Sequence, residues 1–247
     1  MSLNNVSIVL VNTSHGGNIG AVARAMANMG LSDLRLINPA RFPGSEATAR
    51  AAGATEILET ARIFATLDEA IADSVFVVGA TARLRSISWP CSDPGSAMTK
   101  VARLCKSSKV SLVFGREASG LTNEELDRAQ LHVRIPVSEE YPSLSLAAAV
   151  LIMCYELRRS YALGGRNFIQ NVDTRLPLAS AGQIQQFFKH LEMVLDEIGF
   201  LKQPSSRLLR KIKRIFNRTP LQEQEVNILR GILTAVEQSR GTREFKE

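Results

Sequence analysis

LVFGREASGLTNEEL, Leu112 to Leu126, passes from strand to turn to helix within fifteen residues. Val110 to Phe114 is a short apolar run of the kind that forms a buried strand. Gly115 ends it, and a residue without Cβ lets the backbone come close to a ligand. A plain strand-end turn explains that glycine equally well. Thr122, with Glu125 three positions on, forms a capping box that opens a helix. Strand, glycine turn and helix in this order are the repeating unit of an open α/β sheet.

The same unit recurs on either side. Val6–Val11 reads as a strand, followed by Asn18-Ile19-Gly20 and a helical pattern over Ile19–Met29 that carries Arg24 and stops at Gly30. His132–Ile135 reads as a strand ended by Pro136, which cannot continue a central ladder. Ser143 or Ser145 is placed to cap the helix over Leu146–Ala162. Further strands are expected at Leu34–Ile37 and Val75–Gly79, and helices at Glu46–Ala52, Leu67–Ala72 and Ser96–Cys105. Alternation of this kind predicts a mainly parallel sheet covered on both faces. The loops around Asn18, Gly115 and Pro136 then converge at strand ends, where such sheets bind small ligands.

From about Gly164 to Ser180 the chain is polar and irregular, and reads as a linker. Three helical patterns follow. Ile184, Phe187, Phe188, Leu191, Leu195 and Ile198 mark the first; Leu208, Ile212 and Ile215 the second; Val226, Leu229, Leu233 and Val236 the third. The expected organisation is therefore a sheet domain over 1–163, a linker over 164–180 and a small all-α domain over 181–247.

Charge separates these parts. The chain carries a net charge of +6, and residues 165–247 supply +5 of it from 14 Lys+Arg against 9 Asp+Glu. No acid lies between Glu197 and Glu223, a gap holding seven cations from Lys202 to Arg218. Arg207, Arg210, Lys211 and Arg214 fall on one face of the second helix. Such a stripe suits a polyanion, most commonly nucleic acid, although a merely solvated face has the same composition.

Several classes are disfavoured. No apolar run approaches the ~20 residues needed to span a bilayer, and MSLNNVSIVLVN has no basic n-region of a signal peptide. Cys91, Cys105 and Cys154 are odd in number and widely spaced, which fits a reducing, cytoplasmic setting and suggests neither a disulfide framework nor a metal site. His15-Gly16-Gly17-Asn18-Ile19-Gly20 is neither a GxGxxG nor a P-loop motif. The second strand ends at Asn38-Pro39 without the acid of a dinucleotide site. No GxSxG elbow is present. His15, His132 and His190 show no triad or metal spacing, so structural roles are expected for them.

Taken together, VLVNTSHGGNIGAVARAMANMGL, VVGATARLRSISWP (Val77 to Pro90), LVFGREASGLTNEEL and RIPVSEEYPSLSLAAAV resemble the motifs of the SPOUT superfamily of knotted methyltransferases. They are most similar to its bacterial tRNA (cytidine/uridine-2′-O)-methyltransferases. The resemblance spans about residues 5–162. It implies a parallel sheet with a deep C-terminal trefoil knot, an exception to the unknotted norm. It also implies a homodimer and bound S-adenosyl-L-methionine.

Carried over by residue, the cofactor loops are Ala80-Thr81-Ala82, Gly115 with Glu117, Ile135-Pro136 and Ser143-Leu144. Asn18, Arg24 and Ser143 are the implied catalytic set, with Arg24 acting across the dimer on the ribose hydroxyl. A guanidinium is not normally deprotonated. Its expected part is therefore to pin the neighbouring phosphate and stabilise the developing alkoxide. The family's Ser-Leu-Asn is here Ser143-Leu144-Ser145, so the amide is replaced by a hydroxyl.

The leading expectation is 2′-O-methylation of tRNA, at nucleotide 32 in enzymes of this kind. A ribosomal-RNA ribose methyltransferase and a non-catalytic knotted RNA-binding module are the rivals. Gly115→Val is expected to block the cofactor while leaving the protein folded.

Overall fold

The computed structural model describes residues 3–82, 91–163, 176–201, 206–218 and 220–244. Strands β1 (Val6–Val11), β2 (Asp33–Ile37), β3 (Arg62–Phe64), β4 (Phe76–Ala80), β5 (Cys91–Ser92), β6 (Val110–Phe114) and β7 (Leu131–Val133) form one parallel sheet in the order β3-β2-β1-β6-β4-β7-β5. The sheet domain also holds α1 (Gly16–Met29), α2 (Ser45–Ala51), α3 (Thr55–Glu59), α4 (Leu67–Ile71), α5 (Pro94–Leu104), α6 (Asn123–Leu126) and α7 (Leu146–Ala162).

Alternate residues of the central strands face opposite layers. Ile8 and Leu10 join Met26, Met98 and Met153 on one side, whereas Val9 and Val11 join Ile71, Leu121 and Leu126 on the other. Every residue of β1 is buried, as expected of a parallel strand with helices on both faces.

Local signals in the sequence act as read. Gly30 ends α1 in the left-handed conformation at φ 76°, and Thr122 with Glu125 completes both halves of the capping box of α6. Ser145, not Ser143, caps α7 by accepting the Ala148 N–H at 3.3 Å. Helix α1 begins three residues earlier than expected, at Gly16. The lack of Cβ at Gly20 lets α2 lie against it, since a methyl there would run into the Ala47 carbonyl oxygen.

Strand β7 is shorter than the expected His132–Ile135 run. No sequence signal marks the two-residue β5, the edge strand β3 or the helix α3. Each is too short to carry a period, and β3 exposes two of its three side chains.

The C-terminal region is α8 (Ala181–Glu197), α9 (Ser206–Asn217) and α10 (Glu223–Glu244), around a separate apolar cluster. Phe187 and Phe216 meet edge-on with ring centres 5.0 Å apart. In α9 the inward face is Ile212 and Phe216; Ile215, expected inside, is 61% exposed. Ile198 likewise lies outside, because it is the C-cap of α8 and not part of its helical face.

The expected linker lies largely in residues 164–175, outside the described residues. Its end is packed: Ala179 is buried and donates its N–H to the Leu221 carbonyl at 2.8 Å. The first turn of α8 is pinned to the sheet domain, where Ala181 and Gly182 donate N–H bonds to the Ser74 and Ala72 carbonyls.

Candidate active site

The carboxyl ends of β4, β6 and β7 open onto a cavity of about 440 Å³. Four chain segments wall it: Ala80-Thr81-Ala82 after β4, Gly115–Leu121 after β6, Val133–Ile135 with Val137 after β7, and Pro142–Leu144 leading into α7. Of the cofactor residues expected from the resemblance, Ala80, Thr81, Ala82, Gly115, Glu117, Ile135, Ser143 and Leu144 line this cavity. Pro136 is exposed and is not among the lining residues. The remaining residues of the Val77–Pro90 motif, 83–90, lie outside the described residues.

Parallel pairing puts all these loops on one edge of the sheet. The Thr81 N–H bonds to the Val133 carbonyl at 2.9 Å, so the β4 and β7 loops leave together. Gly115 is demanded by its own loop. A Cβ there would run into the carbonyl carbon of Gly120 and the nitrogen of Leu121. The expectation that Gly115→Val spares the fold is therefore corrected, because the loop would have to open before any ligand met the side chain.

Glu117 faces α1. Its carboxylate accepts from the Asn18 amide at 2.8 Å and from the Ser14 hydroxyl at 3.1 Å, with the Ser14 N–H at 3.3 Å. Burial works against its ionisation, but the Asn18 and Ser14 hydrogen bonds outweigh that and hold the carboxyl below its ordinary value. Asn18 and Glu117 thus tie the helix α1 to the pocket loop. Ser14 completes the tie; no sequence rule marks it, since its partner lies 103 positions away.

A second unforeseen tie is a fork from Arg116 to both oxygens of Glu125, each at 3.0 Å, which fixes the pocket loop to α6. His132 is buried with Nε2 3.0 Å from the Leu126 carbonyl, a structural position. Burial pushes the thiols of Cys105 and Cys154 up to about 11 and about 12, far from nucleophile range.

Arg24 stands on α1, exposed, outside the cavity wall, and makes no ion pair or hydrogen bond among the described residues. The basic helix α9 is less uniform than its sequence suggests. Arg207 and Lys211 are exposed, whereas Arg214 is partly buried. Arg210 turns inward and forks onto the Asp127 carboxylate, with the Nη2 contact at 2.9 Å. The four cations do not present one solvent face.

Residues 5–155 match the SpoU rRNA Methylase family, and residues 182–245 match the tRNA methyltransferase TrmJ C-terminal domain. The chain is 46% identical to the tRNA (cytidine/uridine/adenosine-2′-O-)-methyltransferase TrmJ of Pseudomonas aeruginosa (strain UCBPP-PA14), over 94% of this chain and 93% of that one. The crystal structure of TrmJ from Z. mobilis ZM4 superposes with a TM-score of 0.82 at 32% identity, covering 94% and 98% of the two chains. The AdoMet-bound rRNA methyltransferase from Sinorhizobium meliloti is similar over 62% of this chain and 56% of that one, at 28% identity and a TM-score of 0.50. No helix among the described residues is long and apolar enough to cross a membrane.

Proposed function

The chain belongs to the TrmJ tRNA 2′-O-methyltransferases of the SpoU methylase family, and from that membership we propose that it methylates a ribose 2′-oxygen of tRNA at nucleotide 32 of the anticodon loop, using S-adenosylmethionine. The observation that carries this reading is the cavity formed where three separate motif segments meet. Its volume lies within the few-hundred-Å³ range of small-molecule sites. Its wall combines apolar Leu121, Val133, Ile135 and Leu144 with polar Thr81, Ser119 and Ser143. That mixture fits a nucleoside with an amino-acid tail. When bound, the cofactor supplies a methyl group already activated on a sulfonium.

The protein's task is then alignment and electrostatics. Asn18, Ser14 and Glu117 hold the pocket loop against α1, so that the reacting centre is set by packed elements and not by a loose loop. Arg24 pins a phosphate beside the target ribose and stabilises negative charge growing on its oxygen. Ser145 caps α7, which is a structural use for the position where the family carries Asn. Ser143, exposed at the pocket mouth, offers a hydroxyl to substrate or cofactor.

We assign 1–163 as the methyltransferase domain, 164–180 as the connection and 181–247 as the tRNA-binding domain. A homodimer is part of the proposal. Leu151 and Tyr155 are exposed one turn apart on α7, and an exposed apolar pair of this kind suits a partner. Pairing there would let Arg24 of one subunit serve its partner's pocket, in keeping with its place outside its own cavity wall. The trefoil knot is proposed as part of the same reading, and the insertion of β7 between β4 and β5 is in keeping with it.

The test is methyl transfer from labelled cofactor to unmodified tRNA transcripts, with the product nucleotide mapped by digestion and mass spectrometry. A 2′-O-methyl group at nucleotide 32 is expected. Label appearing in ribosomal RNA instead, or at another tRNA position, contradicts the substrate assignment.

A further inference from the structure

The four-residue helix α6 is gripped at both ends. At its start, Thr122 caps it and Arg116, from the pocket loop, forks onto Glu125. At its end, Asp127 is the C-cap, 9% exposed. A buried carboxylate at a helix C-terminus is doubly disfavoured, by desolvation and by the negative end of the helix dipole. It needs a cation, and the sheet-domain Arg128 beside it in the chain is turned onto the Asp68 carboxylate instead. Arg210 of α9 reaches across and forks onto both carboxylate oxygens. Asn217, further along α9, donates to the Asp127 backbone carbonyl at 3.3 Å, satisfying an end group of α6. A bidentate guanidinium pair this enclosed fixes direction as well as distance.

We propose that Arg210 is a positioning residue: its latch on Asp127 makes α9, α6 and the pocket loop one rigid unit, and so sets where the exposed Arg207 and Lys211 hold tRNA relative to the methyl-transfer pocket. The proposal rests on the tRNA methyltransferase reading for its substrate. Its physical content is that a cation in the basic stripe acts on the fold and not on a phosphate.

The two uses of Arg210 predict different behaviour of its partner. A latch is broken from either side, so Arg210→Gln, Asp127→Asn and the double variant should behave alike, with the double no worse than either single. A displaced substrate costs rate more than affinity. The single-turnover rate at saturating tRNA should fall by about tenfold to a hundredfold, while tRNA affinity stays within about threefold. S-adenosylmethionine affinity, measured by calorimetry, should match the parent in all three variants, which separates a positioning role from collapse of the pocket.

If Arg210 instead contacts a phosphate, Arg210→Gln weakens tRNA binding and lowers the log–log salt slope by about 0.7 to 0.9, while Asp127→Asn leaves binding intact or strengthens it. That pattern overturns the proposal, as does parental turnover in all three variants. Small-angle scattering of the same full-length proteins without RNA reads the latch independently of substrate. The variants should show a broader interdomain distance distribution than the parent, and identical profiles would overturn the latch even if tRNA proves to be the wrong substrate.

Discussion

Helix α1 holds Arg24 exposed and unpaired among the described residues, whereas α9 folds Arg210 onto Asp127 of the sheet domain. Both arginines stand in stretches that invite an RNA-binding role. The difference lies in what surrounds them. On α1 no acid among the described residues pairs with Arg24, and the Glu117 carboxylate at that end of the sheet domain is taken by Asn18 and Ser14. Around Arg210 a buried acid demands a cation. A charge count cannot distinguish the two cases, because the outcome depends on which acid the fold brings near.

The largest effect that would break this contrast is loss of Arg24. Arg24→Ala should lower single-turnover methyl transfer by ~100-fold or more, as removal of other preorganised electrostatic stabilisers does, with cofactor affinity retained. A near-parental rate would show that Arg24 is merely a solvated cation. Mixing Arg24→Ala subunits with cofactor-site variants should restore partial activity once mixed dimers are demonstrated, and absence of rescue would confine each site to one subunit.

Gly115→Val should act on the protein before it acts on the ligand. Overpacking of this kind costs about 1–3 kcal/mol, so a lowered urea midpoint is expected together with lost cofactor binding. A variant with parental stability and no cofactor binding would return Gly115 to the simpler role of leaving room for the ligand.

In α9 the exposed pair carries the smaller, salt-sensitive effect. Changing Arg207 and Lys211 together to Gln should reduce the log–log salt slope of tRNA binding by about 1.4 to 1.8, since each phosphate left unneutralised removes about 0.7 to 0.9 from it. Filter binding at several salt concentrations measures the change, and an unchanged slope would leave this face without a role in RNA binding.

The smallest effect concerns acid stability and rests on a third arginine. Arg35 is buried and pairs with Asp33 and Asp73. Burial disfavours the Asp73 carboxylate, but hydrogen bonds from Arg35 and Lys109 overcome it and hold its pKa at about 2, against an ordinary 3.8. A depressed folded-state value means that the stabilisation is present above the unfolded value and is lost as pH falls from about 4 to about 2. Urea midpoints over that interval should fall more steeply for the parent than for Asp73→Asn; parallel curves would contradict the assignment.

Much of the fold is legible in the sequence where a signal is local. The Thr122–Glu125 capping box, Gly30 and the strands β1, β2, β4 and β6 depend on near neighbours, and they form within a residue of where they are read. The resemblance of the motif segments also indicates which loops share the cavity. What escapes depends on distance along the chain. Arg210 meets Asp127 across 83 positions and Glu117 meets Asn18 across 99, so no periodicity announces either pair. The inward face of α9 escapes for a subtler reason. Ile215 and Phe216 are adjacent apolar residues, and spacing from Ile212 admits both; packing against Phe187 selects Phe216.

The cavity at the ends of β4, β6 and β7 is the proposed cofactor site. Calorimetric titration of S-adenosylmethionine into the full-length protein, compared with Ala82→Trp, tests it directly. Ala82 is an exposed residue of the cavity wall, so a large ring there can fill the space without disturbing the core. Saturable binding at one site per chain in the parent, lost in Ala82→Trp with an unchanged urea midpoint, is the predicted result. No heat of binding in the parent, or equal affinity in the two proteins, would contradict it.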